Sequence, residues 1–129
     1  MLAIDTNIIL RYLTGDHPQQ SPKAKALIDS EDVFVCTTVL LETEWVLRSV
    51  YDFTAVGVAN ALSAFAGLPT VNLDEPALIA KALDWTVRGM DFADALHLAK
   101  AEGCNALVSF DRRFKKIAKE VSDIEVRML

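Results

Sequence analysis

Short apolar runs, each too brief to make a helix, alternate along this chain with segments of helical period. Leu2-Ala3-Ile4, Val33-Phe34-Val35, Thr70-Val71-Asn72-Leu73 and Ala106-Leu107-Val108-Ser109-Phe110 read as strands. Ile124, Val126 and Met128 alternate as a final edge strand. Helical patterns lie between them. Ser21-Pro22 reads as an N-cap followed by proline at the first helical position, with Ala24, Leu27 and Ile28 on one stripe. Thr37-Thr38 opens a helix to about Tyr51, Thr54 to Leu68 predicts an alanine-rich one, and Asp74-Glu75-Pro76 opens a third to about Arg88. Asp91 caps a helix ending at Gly103, and Asp111 opens one more. This order predicts an α/β fold with a mostly parallel sheet and helices on both faces.

Size and composition agree with one domain spanning residues 1–129. No linker, repeat or low-complexity run interrupts the chain, and 52% of its residues are apolar. At this length folding buries about two-thirds of the unfolded surface. No apolar run is long enough for a membrane span, and the acid at position 5 is out of place in a signal peptide. Cys36 and Cys104 sit among apolar residues, which predicts buried reduced thiols and a cytoplasmic protein with no membrane partner. With 18 acidic against 13 basic residues, the net charge of −5 argues against nucleic-acid binding through bulk charge.

Four acids stand out. Asp5 follows the first strand and Asp111 the fourth, each opening a helix. Either is explained by capping alone, but open α/β sheets also bind ligands at the carboxyl ends of their strands. On a wheel of 100° per residue, Glu42 borders an apolar arc of Val39, Val46, Val50, Leu47 and Leu40, with no cation three or four residues away. Glu44 falls on the opposite side as a surface ion pair with Arg48. Asp91 and Asp94 open one helix three residues apart; Asp91 is explained as its cap, which leaves Asp94 as the functional candidate and Asp91 as an auxiliary.

Converging carboxylates repel, by about 4 kcal/mol for two charges 4 Å apart at an effective dielectric of 20. A cation relieves this. An all-oxygen donor set without Cys suits Mg²⁺ or Mn²⁺ better than zinc, with His97 as an outer partner of Asp94 at most. Such an ion commonly meets a phosphate and activates a water, which makes phosphodiester hydrolysis the natural reaction class.

Ile4-Asp5-Thr6-Asn7, Leu41-Glu42-Thr43-Glu44-Trp45-Val46-Leu47, Asp91-Phe92-Ala93-Asp94-Ala95-Leu96-His97-Leu98-Ala99 and Val108-Ser109-Phe110-Asp111-Arg112-Arg113-Phe114 together resemble the PIN-domain ribonucleases. Within that family the chain looks most like the VapC-type toxins of bacterial toxin–antitoxin pairs. The resemblance implies a three-layer α/β/α fold and Mg²⁺- or Mn²⁺-dependent cleavage of RNA. Its acids fall on Asp5, Glu42, Asp94 and Asp111, with supporting hydroxyls at Thr6 and Ser109. It also implies a homodimer and a small cognate antitoxin, which in such toxins meets the region from Val46 through Phe65.

Arg112, Lys115, Lys116 and Lys119 share an arc of ~100°, opposite Phe114, Ile117 and Val121. Beginning beside Asp111, this stripe is a candidate RNA contact. The alternative from another class is a phosphorelay receiver-like Mg²⁺-binding signalling domain; it wants paired acids after the first strand and a Lys after the last, whereas only Asp5 stands at the former and Ile124–Leu129 holds no Lys. Setting the four acids aside leaves 14 acidic against 13 basic residues, so most of the −5 belongs to the candidate site.

Overall fold

The computed structural model describes residues 1–129, which form two compact units, Met1–Pro76 and Ala77–Leu129. Five strands and seven helices alternate along the chain, and every strand pair is parallel. The expected α/β class with a parallel sheet is what the chain adopts.

The first unit contains β1 (Leu2–Ala3), α1 (Thr6–Thr14), α2 (Gln20–Ser30), β2 (Val33–Val35), α3 (Thr37–Ser49), α4 (Ala55–Ala66) and β3 (Val71–Leu73). Its strands lie in the order β1-β2-β3, with Leu2 opposite Val33 and Val33 opposite Val71. Parallel neighbours need a long crossover, and helix pairs supply it: α1 and α2 between β1 and β2, α3 and α4 between β2 and β3. Val33 and Val35 are fully buried among Ile9, Ile28, Leu47, Leu62 and Phe65. Such a core supplies most of the stabilisation, at about 1.5–3 kcal/mol for each large apolar side chain.

The second unit contains α5 (Pro76–Val87, whose first residue closes the first unit), α6 (Phe92–Lys100), β4 (Leu107–Ser109), α7 (Arg112–Val121) and β5 (Val126–Met128). Strand β4 pairs in parallel with β5 across α7, with Leu107 opposite Val126. Helix α7 buries Phe114 and Ala118 and turns its basic residues outward, as its sequence period requires.

Three local expectations are corrected. Helix α2 begins one residue before Ser21, with Gln19 at its N-cap, and His17 serves the helix start from outside: its Nδ1 accepts from the N–H groups of Gln19 and Gln20 at 3.2 and 2.9 Å. Ser21 instead accepts from the His17 N–H at 3.2 Å. Helix α6 stops at Lys100, and Gly103 takes its left-handed φ of 91° in the turn beyond. The cysteines are not buried; Cys36 is half-exposed and Cys104 exposed, each as a free thiol.

Helix α3 carries the fourth correction. Its buried stripe is Thr37, Leu40, Thr43, Glu44 and Leu47. The valine side of the wheel is only partly covered: Val39 and Val46 are half-buried, while Val50 is 64% and Trp45 57% exposed. Glu44, expected on the surface, is only 2% exposed. Arg48 reaches it with two bonds, Nε to Oε2 at 2.5 Å and a terminal nitrogen to Oε1 at 3.0 Å, which makes burial of the carboxylate tolerable. Glu42, placed at a core border from sequence, is exposed.

Candidate nuclease site

In the first unit, Asp5 stands where β1 ends and α1 begins. Its backbone is extended, and Oδ1 accepts the Ile8 N–H at 3.2 Å, so Asp5 is the N-cap of α1. That bond uses one oxygen of a group with about four acceptor positions, leaving the rest available to a ligand. The next residue, Thr6, is buried, and its hydroxyl donates to Oε1 of Glu42 on α3. Glu42 is therefore tied to the N-terminus of α1, where the helix dipole favours negative charge. Asp5 and Glu42 are brought to the same helix end by one buried hydroxyl.

The carboxyl edge of the same sheet carries a second acidic pair that sequence reading took only as a helix opening. Oδ1 of Asp74 and Oε2 of Glu75 lie 2.7 and 2.9 Å from the Thr37 hydroxyl, and the Thr37 N–H donates to Asp74 Oδ2 at 3.2 Å. Burial alone raises the Asp74 pKa, but these bonds and the local backbone N–H groups outweigh it and hold the carboxyl below its ordinary 3.8. The pair fastens the end of β3 to the start of α3. Thr37, the second residue of the Cys-Thr-Thr run after β2, was the available signal.

In the second unit, Asp111 stands at the end of β4 as Asp5 does at the end of β1. Its Oδ1 accepts the Phe114 N–H at 3.0 Å, and its own N–H donates to the Ser109 hydroxyl at 3.0 Å. Asp91 caps α6, accepting the Asp94 N–H on Oδ2 at 3.3 Å. Asp94 is half-buried in the first turn of that helix. Its carboxyl is pushed above the ordinary 3.8, first by burial, then by the charges of Asp91 and Asp111, with His97 opposing. Three carboxylates thus share one electrostatic neighbourhood around Asp94. The stripe residues Arg112, Lys115, Lys116 and Lys119 are all exposed on α7, directly after Asp111.

In neither unit do three His, Cys, Asp or Glu side chains gather closely enough to hold an ion by themselves. Mg²⁺ and Mn²⁺ do not require that, because they keep several waters and take one or two carboxylates with substrate oxygens. The donor set fits such an ion: it is all oxygen, its members are held by helix N-termini and hydroxyls, and Asp94 carries like-charge strain that a cation would relieve.

Carboxylates at the ends of parallel strands, in an α/β chain, define a candidate phosphate-handling enzyme. Residues 2–120 match the PIN domain family, and the chain belongs to it. Its fold is the three-layer α/β/α class of that family, and PIN domains are in general nucleases that use divalent metal ions. No curated protein matches the chain. No helix is long and apolar enough to cross a membrane.

Proposed function

We propose that the chain is a Mg²⁺- or Mn²⁺-dependent endoribonuclease, acting as one domain over residues 1–129. Asp5, Glu42, Asp94 and Asp111 hold the ion. What supports this most is the surrounding of Asp94, whose carboxyl is raised by burial and by two neighbouring acids within a PIN chain. A divalent ion bound there supplies an acidified water and offsets charge building on the phosphate oxygens. The protein's own part is orientation. The Thr6 hydroxyl fixes Glu42, Ser109 and the Phe114 N–H fix Asp111, and Asp91 steadies the first turn that carries Asp94. Arg112, Lys115, Lys116 and Lys119 guide the RNA phosphates.

The biological reading is the toxin of a cytoplasmic toxin–antitoxin pair, a homodimer neutralised by its antitoxin. Exposed apolar residues on α3 and α4 support it, since Trp45, Val50 and Val56 are 57, 64 and 46% exposed while Val58 and Leu62 beside them form core.

Purified protein should cleave single-stranded RNA with Mg²⁺ or Mn²⁺ and stop with chelator. Asp5→Asn and Asp94→Asn should each abolish cleavage with unchanged thermal unfolding. Undiminished cleavage by either variant overturns the site.

A further inference from the structure

A groove of about 410 Å³ opens at Asp5 and runs between α1 and α2. Its size lies in the range of small-ligand sites. One wall is apolar, made by Ile8, Leu27 and the small, buried Ala24. The side chains beyond Asp5 and Asn7 present donors. Arg11 donates from Nε to Oε1 of Gln20 at 2.9 Å. A guanidinium has no acceptor, so the carbonyl end of Gln20 must face it and the –NH₂ end is left free. Arg11 is itself held, donating to Asp16 at 3.3 Å and to the Tyr51 hydroxyl at 3.2 Å. Lys23 lines the same groove, exposed and without an acid partner.

An apolar wall flanked by fixed donors takes a flat molecule whose edge carries acceptors. We propose that this groove is a base subsite for the RNA strand, selecting a guanine beside the bond cut near Asp5. The inference rests on the nuclease reading for its substrate. Single-stranded RNA presents unstacked bases whose edges proteins read directly. Guanine offers N7 and O6 as adjacent acceptors on the edge away from its ribose, which suit the Gln20 –NH₂ and the Lys23 ammonium; adenine puts a donor at the second position, uracil separates its two carbonyls by an N–H, and the N3–O2 pair of cytosine lies against its own ribose. The apolar wall accepts the ring face.

Binding is measurable without catalysis. In chelator, fluorescence anisotropy should show the wild-type chain binding a short single-stranded RNA about tenfold more tightly than the same RNA with its one guanine changed to adenine. Gln20→Ala and Lys23→Gln lie at exposed positions, so unchanged thermal unfolding will confirm their fold; each should erase most of the preference. Equal binding of the two RNAs by the wild type, or a preference that survives both variants, overturns the subsite. Mapping of cuts in a random RNA pool with Mn²⁺ separates this inference from the one beneath it. Cleavage without a guanine at a fixed position refutes the subsite and leaves the nuclease standing. Guanine-selective binding by a chain that cuts no RNA supports the subsite and refutes the nuclease.

Discussion

Asp5 and Asp111 each cap a helix, and that ordinary role does not compete with the chemical one. Each spends one oxygen on its helix, on Ile8 and Phe114 respectively, and a carboxylate has acceptor positions to spare. Capping fixes the rotamer, which is what a ligand to a divalent ion needs. Thr6 does the same for Glu42, from outside the proposed ligand set. Outer partners of this kind are commonly worth 10–100-fold in metal affinity or activity. Thr6→Val should therefore raise the Mn²⁺ concentration for half-maximal cleavage by about tenfold or more, and Thr6→Ser should restore it. A variant with unchanged Mn²⁺ dependence would mean the hydroxyl serves packing alone. Glu44 presents the opposite case, a buried carboxylate whose whole account is Arg48. Arg48→Ala should cost about 3–5 kcal/mol in urea unfolding, because the remaining charge is stranded, whereas replacing both by leucine should be close to neutral. A cost below about 1 kcal/mol for Arg48→Ala would show that water reaches Glu44.

At the scale of elements, strands and caps were legible because their signals are local. Val33–Val35 is a strand at its expected bounds, and Asp91 and Asp111 cap the helices they were read to cap. Helix α3 was legible as a helix but not in its orientation. Its wheel has apolar residues over a wide arc, and the valine side looked like the centre. Leu40 and Leu47 do point inward, but the stripe is completed by Thr37, Thr43 and Glu44. Pairing inside the helix made that possible: Thr43 donates to the Val39 carbonyl at 2.7 Å and Glu44 takes Arg48, so polar residues became core residues. Glu42 was singled out for a border position it does not have, and its tie to Thr6 is a tertiary contact that no spacing reveals. The Thr37 clasp on β3 was hidden for the same reason, and it gives a pH prediction. Asp74 titrates below its ordinary 3.8 in the folded chain, so its bonds add stability that is fully present above that value and is lost as pH falls through the lower folded value. Thr37→Val should destabilise the chain at about pH 6, and the gap from wild type should narrow at about pH 2.5. Urea midpoints that differ equally at both pH values would assign the loss to packing.

For the whole molecule the charge balance decides how RNA is met. The chain carries −5, yet 14 acidic against 13 basic residues remain once the four proposed site acids are set aside. The proposed phosphate contacts are Arg112, Lys115, Lys116 and Lys119, all exposed on α7. Binding of single-stranded RNA releases counterions in proportion to the phosphates neutralised, with a log–log salt slope of about −0.7 per contact. If those four residues are the main contacts, the slope for the wild-type chain in chelator should be about −3 between roughly 50 and 200 mM salt. Lys115→Ala and Lys119→Ala should each make it shallower by about 0.7 and weaken all RNA sequences alike, because phosphate contacts position a strand and do not read it. The guanine preference should survive both changes, since its donors lie on the other unit, at Gln20 and Lys23. A slope far steeper than this would place RNA on cations outside α7. A slope unchanged in both lysine variants would make the stripe a solvated helix face with no part in drawing the substrate in.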